Sequence, residues 1–306
     1  MKLATTIGKL YPNFVPTSAD AVRCYEGTGF THLDYSFYNV LRLNGSFLGD
    51  HWKDEVIAAG EAAAKLGFDF VQAHSPDYNP MDPDADHEAG MLATRRSIEA
   101  CGMLGIPVMV VHSGYTPRLQ YPQDKDAYFA ETLEFFRAFY PDMEKHDVSL
   151  LIENSAEGNM QGRFFYMTGQ EMNEYLAIDK HPLMGACWDV GHGHMRGCDQ
   201  YTELTTLGAN LKAVHIHDNN GIGDQHLAPY CGTLDFDAVV RALRDIHFAG
   251  PFTFEADNFI GIRHFAAPVP EYSDLFQPAL EIKRGALSLL HAIGKNMLET
   301  YGLYEE

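Results

Sequence analysis

Residues 214–257 read VHIHDNNGIGDQHLAPYCGTLDFDAVVRALRDIHFAGPFTFEAD. An apolar run at 211–216 enters this stretch and ends among histidines. A polar, glycine-bearing loop follows. Phe236, Val239, Val240 and Leu243 then share one face of a helix expected over 236–246. A second apolar run at 251–254 ends on Glu255. Strand, loop, amphipathic helix and strand in that order make a βαβ unit, whose two strands run parallel.

The same unit recurs along the rest of the chain. Further strands are expected at 3–7, 32–35, 68–73, 107–111, 149–152 and 185–188. VMVV and SLLI are unbroken apolar runs, as strands covered on both faces require. Helices are expected at 54–66, ending before Gly67, at 87–104, ending before Gly105, and at 126–146. In the last, Tyr128, Phe129, Leu133, Phe136 and Tyr140 form a core face. Eight strands alternating with helices predict an α/β fold, a closed (β/α)8 barrel, with residues 1–306 as a single domain. The length of 306 residues suits about 250 for such a barrel plus insertions. The long connections 38–53, 76–86, 114–125 and 257–278 follow strands 2, 3, 4 and 8, so they cover the face where barrel active sites lie.

The ends of the strands carry the chemistry. His74 follows strand 3, His112 strand 4, and Glu153 ends strand 5. Asp189 and His192 follow strand 6, His215 and His217 belong to strand 7 with Asp224 and His226 after it, and Glu255 ends strand 8. A single histidine or carboxylate at such a place is ordinarily a hydrogen-bonded group or a helix cap. Six strands in succession converge these groups on one small region. Carboxylates crowded there repel one another and resist burial unless a cation joins them. Mixed carboxylate and imidazole donors suit Mn2+, Co2+, Mg2+ or Zn2+. Trp188 and Phe254, each next to one of these residues, are either pocket walls or barrel packing. Arg118, Arg163, Arg196 and Arg263 fall in the strand-end loops, where surface pairing and anion binding are the alternatives.

Composition bounds the partners. Hydrophobic residues make up 46% of the chain, enough for a large core, and the formal net charge is −20. That charge disfavours a nucleic-acid partner. Five cysteines without CxxC spacing read as reduced thiols. The first 14 residues hold no apolar leader, and no run approaches the roughly 18 apolar residues of a membrane span. A cytoplasmic chain with no membrane contact is expected.

The segment 214–257, with WDVGH and LIENS, resembles the xylose-isomerase-like TIM-barrel superfamily, and the likeness runs over residues 3–257. That group includes sugar isomerases and epimerases, inosose dehydratase-like enzymes and endonuclease IV. The resemblance implies one divalent metal ion held by Glu153, Asp189, His215 and Glu255. His215 with Asp218 matches the family's HxxD spacing, and His217 is the alternative ligand. It implies Glu153 and Glu255 as the acid/base pair and His192 as a contact to a substrate oxygen. The implied substrate is small and polyhydroxylated: a sugar, an inosose or an oxidised glycoside. The implied reaction is isomerisation or epimerisation through an enediolate, with dehydration or C-glycoside cleavage as the lyase alternative. Homo-oligomers are common in the group.

Two positions depart from the ketose 3-epimerase pattern, Asn159 where a glutamate is usual and Gly221 where an arginine is usual. Pro229, Tyr230 and Cys231 also interrupt a stretch that is normally glycine-rich. A rival resemblance is to the trinuclear zinc site of endonuclease IV. Its positions match His74, His112, Glu153, Asp189, His192, His215, Asp224, His226 and Glu255, and Asp189 to Asp199 keep the DxxHxxxxGxD spacing.

Overall fold

In the computed structural model the described residues are 1–8, 10–12, 14–43, 46–156, 165–256, 258 and 280–305. Eight strands form the barrel wall: β1 (Leu3–Thr6), β2 (His32–Ser36), β3 (Asp69–His74), β4 (Val108–Val111), β5 (Ser149–Glu153), β6 (Met184–Asp189), β7 (Leu211–Ile216) and β8 (Phe252–Phe254). Each pairs in parallel with the next, and β8 closes onto β1 through Leu3 beside Phe252. The expected barrel and its eight strands are present, with ends moved by a residue or two. His74 and Asp189 lie inside their strands, as last residues, and not just beyond them.

Strand alternation fixes what faces inward. Val110, Leu151, Cys187 and Ala213 pack on one another as a separate apolar cluster from four neighbouring strands. Two residues further along those strands stand His112, Glu153, Asp189 and His215. The apolar layer is therefore the floor, and the ionisable groups form the next layer toward the C-terminal ends of the strands. The intervening residues point to the helices. Trp188 and Phe254 are among these. Trp188 is wholly buried and donates from Nε1 to Gln200 Oε1 at 2.9 Å. Phe254 meets Phe30 edge-on. Both are outer packing, not pocket walls.

The helices at Trp52–Leu66 and His87–Leu104 end on left-handed Gly67 (φ 70°) and Gly105 (φ 70°), as glycine in this role permits. Phe236–Asp245 buries the expected apolar face. The helix expected over 126–146 is instead two, Lys125–Arg137 and Tyr140–His146. Pro141 at the start of the second explains the break. It lacks the N–H that would bond to the Arg137 carbonyl and carry the first helix on, and is tolerated in the first turn of a new one. The connection expected at 257–278 lies, apart from residue 258, outside the described residues, as do Asn159, Arg163 and Arg263. Among the described residues no helix is long and apolar enough to cross a membrane.

Candidate metal centre

Among the described residues the donors at the mouth of the barrel fall into two adjoining sets, the second made of two triads that share His217. In the first, His74, Glu153, His215 and Glu255 bring one donor atom each within 4.8 Å of one another. His215 Nδ1 lies 2.7 Å from Glu153 Oε1 and 3.6 Å from Glu255 Oε2. His74 sits between the two glutamates, with Nδ1 3.3 Å from Glu255 Oε1 and Nε2 4.0 Å from Glu153 Oε2. His112 Nε2 approaches Glu153 Oε2 at 3.0 Å. Glu153 and His215 are buried, and Glu255 keeps 12% of its side chain exposed.

The second group contains Asp189, His192, His217, Asp224 and His226. His217 Nε2 lies 3.0 Å and 3.1 Å from the two oxygens of Asp189, and its ring stacks on His226 at 4.0 Å and 6°. His192 Nδ1 donates to the Asn154 carbonyl at 2.9 Å, and His226 Nδ1 donates to the Glu255 carbonyl at 2.8 Å. A carbonyl only accepts, so each ring carries hydrogen on Nδ1 and turns Nε2 to Asp224, at 3.5 Å and 3.3 Å. Histidines anchored in this way are the usual preparation for metal ligation.

The sequence-expected quartet is thus distributed. Glu153, His215 and Glu255 share one group with His74, and Asp189 stands in the second beside His217. Asp218, the other half of the HxxD spacing, faces the loop. It accepts backbone N–H bonds from Asn219 at 2.8 Å, Gly232 at 2.8 Å and Leu234 at 3.1 Å, so it ties 218–234 together. A Cβ on Gly232 would fall 2.3 Å from the Asn219 carbonyl and 2.4 Å from Asp218, which explains the glycine. Arg118 pairs with Glu131, and Arg196 ends the helix Val190–Met195.

Burial and charge oppose each other throughout. Burial alone would lower the His74 imidazole, but Glu255, Asp34 and Glu153 around it push it up to about 10. His215 is also raised, because Glu255 and Glu153 outweigh burial and the neighbouring His74. Burial opposes ionisation of Glu153, yet His215 and His112 hold it well below the usual carboxylate range. Asp224 likewise falls well below, as His226 and His192 overcome burial.

Residues beneath the site were not singled out from the sequence. Asp34 of β2 and Gln72 of β3 are wholly buried. Asn154 closes a pair of bonds with Asp189, accepting from its N–H at 2.6 Å and donating to its carbonyl at 2.9 Å. Period-two alternation was the available signal: Gln72 stands two before His74 and must share its face.

The fold and the site define a closed barrel of eight parallel strands with carboxylates and imidazoles gathered at one end, where they could hold a metal ion. The chain belongs to the xylose isomerase-like TIM barrel family, whose model matches residues 27–275. It is 28% identical over 176 residues to the uncharacterized protein y4fM of Sinorhizobium fredii, covering 56% of this chain and 54% of that one. It is 29% identical over 175 residues to a probable endonuclease 4 of Methanoculleus marisnigri, covering 52% and 59%. The chain therefore spans between half and two thirds of the length of these curated relatives. The crystal structure of a D-tagatose 3-epimerase-like protein aligns over 98% of each chain with a TM-score of 0.71 at 18% identity, a likeness of fold.

Proposed function

We propose that this protein is a divalent-metal-dependent sugar isomerase or epimerase that moves a proton beside a substrate carbonyl. The observation that carries the reading is the pair Glu153 and Glu255, which flank His74 and both face His215 Nδ1 in one group of donors. The donor set fits a cation. Glu153 and Glu255 each bring an oxygen within 4.8 Å of the other and of His74 and His215, where water is scarce and the two carboxylates repel one another unless a positive charge joins them. Glu153, His215 and Glu255 would hold the ion, with Asp189 completing the set expected from the family and His74 beside it. A bound divalent cation supplies Lewis acidity that offsets negative charge developing on substrate oxygens.

The chain's own groups do the rest. One glutamate removes the proton beside the carbonyl and the other returns one, so that an enediolate lies between two carboxylates. His192, raised well above its ordinary value because Asp189 and Asp224 outweigh burial, is held by the Asn154 carbonyl and donates to a substrate oxygen. The D-tagatose 3-epimerase-like protein that shares this fold agrees with a ketose substrate. Cytoplasmic placement and association of identical copies remain part of the same proposal.

A second reading, phosphodiester hydrolysis with several ions, is favoured by one observation. The second set holds two overlapping triads of donors, Asp189, His192 and His217 and then His217, Asp224 and His226, and one curated relative is a probable endonuclease 4. Metal content per chain separates the two, one ion against about three. Incubation with ketoses in deuterated water tests the first directly. Deuterium retained at the substrate carbon, with no loss of water or aglycone, is the expected result. Loss of a leaving group would turn the assignment to a lyase, and abasic-DNA cleavage without exchange would replace it with the nuclease.

A further inference from the structure

Gln72 occupies the floor of the first donor group and touches three other strands. Its Nε2 lies 2.9 Å from Asp34 Oδ2 and 2.8 Å from His215 Nε2, and its Oε1 accepts from Thr253 Oγ1 at 3.3 Å. Asp34 pairs with Gln72 across β2 and β3, and His215 pairs with Thr253 across β7 and β8. All four side chains are wholly buried. The carboxamide therefore cannot turn away without leaving several polar atoms dry and unpaired.

His192 and His226 are aimed by backbone carbonyls, which substitution leaves in place. His215 is aimed by a side chain. With Nε2 held by Gln72, the nitrogen that faces Glu153 and Glu255 is Nδ1. A half-turn of the ring about its Cβ–Cγ bond would put Cδ2 where Nδ1 stands and Cε1 where Nε2 stands. It would forfeit both contacts at once. Stacking on His74, with ring centroids 4.6 Å apart and planes 20° apart, fixes the remaining tilt.

We infer that Gln72 is a positioning residue of this centre, fixing the His215 ring through Nε2 so that Nδ1 faces Glu153 and Glu255, on the side where a metal ion would displace the Nδ1 proton. The inference rests on the metal reading above for its consequence, but the holding itself is a property of the metal-free protein. Partners behind a ligand histidine commonly alter metal affinity by 10–100-fold.

The test uses Co2+ alone, followed by its visible absorption, together with long-range proton–nitrogen NMR of the imidazoles in the metal-free protein. Gln72→Leu is expected to weaken Co2+ binding by about 10–100-fold and to change the His215 nitrogen pattern. The exchanged pair Asp34→Asn with Gln72→Glu keeps a bond between the two side chains and sets a carboxylate oxygen, in place of the amide nitrogen, against His215 Nε2, which then donates. It is expected to recover most of the affinity, and it carries the test if Gln72→Leu does not fold. Wild-type affinity with an unchanged nitrogen pattern in Gln72→Leu would overturn the inference. So would failure of a folded exchanged pair to recover binding. If the wild type takes up no Co2+, the metal reading fails by itself. The nitrogen pattern then decides whether Gln72 holds His215, a changed pattern supporting the inference and an unchanged one ending it.

Discussion

His74 and His215 lie ring on ring, with centroids 4.6 Å apart, and each faces both Glu153 and Glu255. The glutamates raise both imidazoles, His74 to about 10. At neutral pH the metal-free site therefore holds protons that a cation must displace. Divalent-ion uptake is expected to release at least one proton per chain near pH 7, with affinity rising as pH climbs toward about 10. Calorimetric titration in two buffers of different ionisation heat measures it. Identical heats in both would refute it. The stability of the metal-free fold runs the other way. The His74 contribution is full below its ordinary 6.5 and is lost as pH rises through about 10.

Glu153→Gln and Glu255→Gln each remove one member of the proposed proton-moving pair. Removing a positioned acid or base costs about 100-fold to 10,000-fold in rate. Solvent-deuterium exchange into substrate is expected to fall by that order in either variant. Glu153→Gln is expected also to weaken metal uptake, since Glu153 faces both His215 and His112. Full turnover in both variants would remove the acid/base assignment.

The barrel was legible because its signals are repeated and local: apolar runs of strand length, amphipathic helices, and glycine stops at Gly67 and Gly105. The ionisable residues ending those strands were legible for the same reason, as each lies beside its own strand. The partition into two groups was not. His215 and His217 share a strand face two residues apart, and the sequence cannot say that one turns to Glu153 and the other to Asp189. Asp34 and Gln72 escaped because their role depends on neighbours across the barrel, 143 residues away in the case of Gln72 and His215. Pro141 was visible, but a continuous aromatic face over 128–140 masked the break it makes.

Asp34 is buried with Oδ2 accepting from Gln72, and His74 Nδ1 stands 3.7 Å away. Burial opposes its charge, but His74 and His215 hold it below the ordinary 3.8. Its stabilising contribution is therefore present above that value and lost as pH falls through the lowered one. Asp34→Ala leaves Gln72 and His74 facing a dry gap. A loss of about 1–3 kcal/mol is expected for the unsatisfied partners, measured by urea unfolding of the metal-free protein at pH 7. An unchanged midpoint would show that this buried network contributes nothing.

Gly191 lies in the short helix Val190–Met195, where alanine would ordinarily be preferred by about 1 kcal/mol. Its backbone does not require glycine, but the space does. An added Cβ would stand 1.9 Å from His217 Cε1 and 2.5 Å from both ring nitrogens. The ring has little room to retreat. It is wholly buried, stacked on His226, and bonded to Asp189. Overpacking of this kind costs about 1–3 kcal/mol, so Gly191→Ala is expected to destabilise despite the helix preference. In a His217→Ala background the obstruction is gone, and the same substitution should become neutral or mildly stabilising. A double-mutant cycle on thermal unfolding reads that change of sign as coupling between the two positions. Additive effects would mean that Gly191 does not make the space in which His217 meets Asp189, and would withdraw this account of the second donor group.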